Sequence, residues 1–171
     1  MFDVNNKNIL ITGATSGIGR ESALALAKMG ANITFIARNK LKAENLLTDI
    51  NKISNGQNSF IIADLSSQED IKIASEKYID KNISLDVLLN NAGLINFKRN
   101  ETIDGFEETF AINHLAYFSL TNLLLDKIKE SNSARIVNVS SAAHQFVKRM
   151  NFDHWIFYLY QLINFLLLVY S

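Results

Sequence analysis

The stretch Thr12-Gly13-Ala14-Thr15-Ser16-Gly17-Ile18-Gly19 constrains this chain more than any other. It lies between an apolar run, Asn8-Ile9-Leu10-Ile11, and the helix-patterned Glu21-Ser22-Ala23-Leu24-Ala25-Leu26-Ala27. The order is therefore strand, glycine turn, helix. Gly13 can turn the chain sharply, Gly17 lacks the Cβ that would keep a diphosphate from the backbone, and Gly19 lets the helix pack close to the sheet. The first helical turn has unpartnered N–H groups and a partial positive charge, which together suit an anion. A dinucleotide is the expected ligand, and a tight turn with no ligand is the weaker competing reading.

The next stretches extend the pattern. Ala31 to Ala37 forms a β-branched and aromatic run after Gly30, so it reads as a buried strand, and Ala37-Arg38-Asn39-Lys40 follows with no acid before Glu44. An acid at that strand end normally binds the adenosine ribose of NAD, whereas an arginine accommodates a 2′-phosphate. Arg38 therefore favours NADP(H) over NAD(H), while Lys40 reads equally well as part of a solvated basic loop. Residues 40–53 have helical spacing, 59–63 form a strand and 67–81 a helix. Asp64 follows the third strand, where by itself it suits the N-cap of the next helix. Leu85-Asp86-Val87-Leu88-Leu89 is a fourth strand that ends in Asn90-Asn91-Ala92-Gly93, and residues 134–141 contain a fifth. Strands and helices alternating at this interval imply an α/β fold with a parallel sheet, whose ligand crevice opens between the first and fourth strands.

Composition narrows the class. The chain has 171 residues, 48% of them hydrophobic, enough for one core. Formal net charge is zero and no basic patch is seen, so no nucleic-acid partner is expected. Cysteine is absent, which excludes disulfides and thiolate metal sites, and no metal is expected. The N-terminus has no apolar h-region, giving the expectation of a cytoplasmic protein. Proline is also absent, where average usage would give roughly eight, and no physical account of this follows from the sequence.

The Gly-x-x-x-Gly-x-Gly spacing and Asn90-Asn91-Ala92-Gly93 together resemble the short-chain dehydrogenase/reductase family. Ala111-Ile112-Asn113-His114-Leu115 and Ser140-Ser141-Ala142-Ala143-His144 narrow the resemblance to its retinol-dehydrogenase-like branch. The resemblance implies a Rossmann-like doubly wound sheet of about five strands in the order 3-2-1-4-5, incomplete on its C-terminal side. It implies a cofactor site of Gly13, Ser16, Gly17, Ile18, Gly19, Arg38, Asp64, Leu65, Asn90, Ala92 and Gly93. Asn113 and Ser141 match catalytic positions, and the substrate class is a small apolar alcohol or carbonyl compound. Residues 104–130 read as one long helix, which in the family often forms a subunit interface. A homodimer and burial within the monomer are both compatible with it. His114 reads as an exposed or core-edge residue. Ser141 and His144 lack a fitting acid for a hydrolase triad.

The pattern breaks after Asp153. Family chemistry uses Tyr-x-x-x-Lys on the next helix, but no lysine follows Lys148, and none of Tyr158, Tyr160 or Tyr170 has one four positions later. An unassisted phenol costs roughly 4 kcal/mol to ionise at pH 7, and the lysine normally lowers that cost. Residues 154–171 contain no Asp, Glu, Lys or Arg. The division expected is a dinucleotide-binding domain over 1–153 and an atypical apolar tail over 154–171. A foreign ending is the preferred account of the tail. A membrane anchor over 155–170 and a substitute helix over the fifth strand are the alternatives.

Overall fold

The computed structural model describes residues 3–142, so His144, Tyr158, Tyr160, Tyr170, the boundary at 153 and the apolar tail lie outside the described residues. Its strands are β1 (Asn8–Thr12), β2 (Asn32–Ala37), β3 (Ser59–Ile62), β4 (Val87–Asn90) and β5 (Arg135–Asn138). Helices α1 (Gly17–Lys28), α2 (Lys40–Ile53) and α3 (Gln68–Ile79) follow the first three strands. All pairings are parallel and the order is β3-β2-β1-β4-β5, as the sequence implies.

Alternation along the strands divides the core into two layers, because successive side chains leave a strand on opposite faces. Leu10, Ile36, Ile61 and Leu88 enter one layer, which α3 and the segment before β5 cover through Ile71, Tyr78, Leu120 and Leu124. Ile9, Ile11, Ile33 and Phe35 enter the other, covered through Ala23 and Ala27 of α1 and Leu46 and Ile50 of α2. Asn39 caps α2 by accepting from the Lys42 N–H at 3.0 Å, and Ser67 caps α3 by accepting from the Asp70 N–H at 3.2 Å. The cap of α3 is thus Ser67. Asp64, the sequence alternative for that position, instead closes a turn by accepting from the Ser66 N–H at 2.9 Å.

The long helix expected over 104–130 is shorter and is broken. Residues 101–107 form a turn, closed by the Glu101–Glu107 bridge and by Gly105 N–H donating to the Thr102 carbonyl at 3.0 Å. The Glu107 carboxylate then accepts from the Thr109 and Phe110 N–H groups at 2.9 and 2.8 Å, which starts the helix at Glu108. Helix α4 (Glu108–Phe110) passes through a π turn (Ala111–Leu115) into α5 (Ala116–Leu123), and α6 (Leu125–Lys129) follows. At Leu124 the backbone leaves helical angles, with φ −100° and ψ 4°. The apolar residues divide accordingly. Leu120 and Leu124 are in the core, whereas Phe106 and Phe118 remain exposed.

At the opposite end of the sheet from the strand termini that carry the motifs, Asp86 ties three strands together. Its carboxylate accepts from the Asn8 N–H at 2.9 Å, the Ser131 hydroxyl at 2.7 Å and the Lys7 ammonium at 3.4 Å. Its own N–H donates to the Asn8 carbonyl, and its carbonyl accepts from the Arg135 N–H. Burial pushes its pKa up, but hydrogen bonds from Ser131 and Asn8 and the Lys7 charge outweigh burial and hold it below the ordinary aspartate value. A carboxylate lowered in the folded state stabilises fully above its unfolded pKa, about 3.9, and that contribution is lost as pH falls through the folded value. Asp86→Asn is expected to lower stability by about 1–3 kcal/mol at pH 7. In urea unfolding series, the gap between wild type and variant should close below about pH 4.

Candidate functional site

The glycine turn is fixed to the end of β4 by a reciprocal pair of side chains. Thr12 Oγ1 accepts from the N–H groups of both Asn91 and Ala92, each at 2.9 Å. Asn91 Nδ2 donates to the Thr12 carbonyl at 3.0 Å and to the Gly13 carbonyl at 3.2 Å. Where the parallel ladder between β1 and β4 stops, these bonds continue it. Neither Thr12 nor Asn91 is among the residues that the sequence motifs single out as contacts. Asn91 could be found only as the unassigned second residue of Asn-Asn-Ala-Gly.

This lock explains two of the three glycines. Gly13 has φ +66°, and a Cβ there would lie 2.7 Å from Ala92 Cα. At Gly19 a Cβ would collide with Asn91 Nδ2 and the Gly13 carbonyl oxygen. Gly17 is different. Its φ is +53°, yet a Cβ would meet nothing within 4 Å, so this glycine borders open space at the start of α1. A backbone that can approach a bulky anion and has nothing of its own in the way fits a diphosphate.

A cleft of about 400 Å³ opens there, along the carboxyl ends of β1, β2, β3 and β4. Gly13, Ser16, Gly17, Ile18 and Gly19 line one part, Arg38, Asp64 and Leu65 another, and Ala92 and Gly93 a third. Among the described residues no carboxylate lies within ion-pair distance of Arg38, so its guanidinium is available to a phosphate. Asp64 is held by its neighbours, its N–H donating to Asp70 Oδ2 at 2.8 Å. Asn90 is the one expected cofactor contact that does not line the cleft. It is buried between β4 and β5, where its Nδ2 donates to Asn138 Oδ1 at 2.9 Å.

Beyond Gly93 lies a smaller cavity of about 100 Å³ that brings Asn113 and Ser141 together, with Tyr117, Val139 and Ser140 also on its wall. Asn113 grips Leu94 at both backbone groups. Its Oδ1 accepts from the Leu94 N–H and its Nδ2 donates to the Leu94 carbonyl, both at 2.9 Å. The partly buried Asn113 amide is thus satisfied at both of its polar atoms, from the π turn of the helix. Such turns concentrate at functional sites. His114 is half-buried and stacks on Phe110 with ring centroids 5.5 Å apart, and burial lowers its pKa. Among the described residues no cluster of three or more acidic or histidine side chains could hold a metal, and no helix is long and apolar enough to cross a membrane.

The short chain dehydrogenase family profile matches residues 7–158. Retinol dehydrogenase 12 of Mus musculus is 40% identical over 144 residues, covering 82% of this chain and 45% of the relative. Polyprenol dehydrogenase of Homo sapiens is 42% identical over 149 residues, covering 84% and 45%. The chain thus spans less than half the length of these curated relatives. Among solved structures, the Pseudomonas aeruginosa RhlG/NADP active-site complex superposes with a TM-score of 0.73 at 26% identity, covering 91% of this chain and 63% of that one.

The three glycines separate experimentally. Gly19→Ala is expected to lower the free energy of unfolding by roughly 3 kcal/mol, because the new methyl displaces the Asn91 amide. Gly17→Ala should lose only about 1 kcal/mol, from backbone strain at positive φ. Equilibrium urea unfolding of the two variants measures the difference.

Proposed function

The chain belongs to the short chain dehydrogenase family, and from that premise we propose that it binds NADP(H) and interconverts an alcohol and a carbonyl on an apolar substrate. The observation that carries this reading is the open backbone at Gly17, which follows the turn fixed by the Thr12–Asn91 lock and lines the same cleft as Arg38. In this reading the N–H groups from Ser16 to Gly19 hold the diphosphate, and Arg38 holds the 2′-phosphate of the adenosine. Asp64 and Leu65 flank the adenine, and Ala92 and Gly93 form the wall along which the dinucleotide runs. The bound dinucleotide supplies or takes up a hydride. Ser141 donates a hydrogen bond to the substrate oxygen, a contact that strengthens as negative charge grows there. The likeness to retinol and polyprenol dehydrogenases supports an apolar alcohol as substrate.

A second reading, a nucleotide-binding module with little turnover, is favoured by one observation: the residues four positions after Tyr158 and Tyr160 are Leu162 and Asn164, not lysine. Loss of a general acid or base typically costs about a hundred- to ten-thousand-fold in rate. NADPH binding with carbonyl reduction at the level of a full-length relative would exclude this second reading.

Isothermal titration calorimetry is expected to show NADPH binding more tightly than NADH. Arg38→Asp should reduce NADPH affinity about ten- to a hundred-fold, the weight of hydrogen bonds to a charged group, and leave NADH binding nearly unchanged. Absence of NADPH binding to the wild-type protein, or an unaltered preference in the variant, would overturn the assignment.

A further inference from the structure

We infer that Tyr117 is a positioning residue for the nicotinamide half of the cleft, acting through the carbonyl of Ala92. The inference rests on the NADP(H) reading of the cleft and adds to it a residue that no motif assigns.

Tyr117 lies on α5, one helical turn beyond Asn113, and is 9% exposed. Its hydroxyl donates to the Ala92 carbonyl at 2.8 Å. Ala92 lines the dinucleotide cleft, while Tyr117 itself lines the smaller cavity that holds Ser141, and Gly93 borders both. The phenol therefore stands behind the wall where the two spaces meet. A buried tyrosine on a helix face needs a partner for its hydroxyl, and the partner it has is the Ala92 carbonyl in that wall. Thr12 fixes the N–H groups of Asn91 and Ala92, and Asn113 fixes both groups of Leu94. Tyr117 adds a third anchor, at the Ala92 carbonyl. Burial raises the phenol pKa above its ordinary value, so the group remains a donor across the working pH range.

The position predicts a selective effect. The adenosine half of the ligand belongs to Arg38, Asp64 and the glycine turn, which the Thr12–Asn91 lock holds without help from Tyr117. Only the half that runs past Ala92 and Gly93 toward Ser141 depends on how that carbonyl is oriented.

The test compares NADPH with adenosine 2′,5′-bisphosphate, which carries the same phosphorylated adenosine and no nicotinamide, by calorimetry on wild type and Tyr117→Phe. The expected result is an affinity loss of about fivefold or more for NADPH, with the bisphosphate within about twofold of wild type. Equal losses for both ligands would show a general structural role and overturn the inference, as would no loss for either. A wild-type protein that binds the bisphosphate but not NADPH, or neither ligand, would overturn the cofactor reading and this inference with it. Tyr117→Met fills similar space without a hydroxyl, and the same comparison on it decides the matter if the phenylalanine variant does not fold.

Discussion

Thr12 and Asn91 meet where the sheet stops being a sheet. A parallel ladder between β1 and β4 saturates the backbone only as far as Ile11 and Leu89, and beyond that the backbone groups need other partners. One hydroxyl accepting two N–H groups, and one amide donating to two carbonyls, replace the ladder at this point. Each such bond is worth only about 1 kcal/mol net, so their importance is positional. They hold the glycine turn against β4 at a fixed distance. They also make side chains intolerable at Gly13 and Gly19, whose Cβ atoms would enter the space used by Ala92 and Asn91. Two of the glycines thus serve the fold itself, whereas Gly17 borders open space in the cleft.

The same contact shows how adjacent, identical residues take different work. Asn90 is the last residue of β4, paired in register with Asn138, and its side chain stays between the two strands. Asn91 leaves the strand, and its amide reaches back across to β1. Composition cannot separate two asparagines in a row. The strand end separates them, because alternation turns neighbouring side chains to opposite sides.

What was legible in the sequence is what local patterning encodes. Apolar runs such as Ile33–Ala37 mark strands, the alternation of strand and helix implies parallel crossovers, and the glycine spacing marks the ligand end of β1. All the expected cofactor residues but Asn90 line one cleft. What was not legible depends on distance along the chain. Asn91 meets Thr12 across 79 positions and Tyr117 meets Ala92 across 25, and no periodicity records either contact. The break in the helical segment was hidden for a related reason. Phe106 and Phe118 look as apolar as Leu120 and Leu124, but Phe106 lies in the turn at 101–107 and Phe118 follows the π turn over 111–115, and both are exposed.

The large cleft and the smaller cavity adjoin, sharing Asn91, Gly93 and Val139. The residues assigned to the dinucleotide lie between Gly13 and Gly93, on β-strand ends locked to one another. Proton transfer needs a group whose proton can leave at neutral pH, and Tyr117 is the described tyrosine nearest Ser141, on the wall of the same cavity. Its hydroxyl is committed to the Ala92 carbonyl, and burial raises its pKa above the value of a free phenol, whose ionisation already costs roughly 4 kcal/mol at pH 7. A lysine charge would have to offset that cost, and neither Lys127 nor Lys129 lies on that wall. Among the described residues, the cavity beside Gly93 thus has hydroxyls at Ser140, Ser141 and Tyr117 on its wall and no lysine.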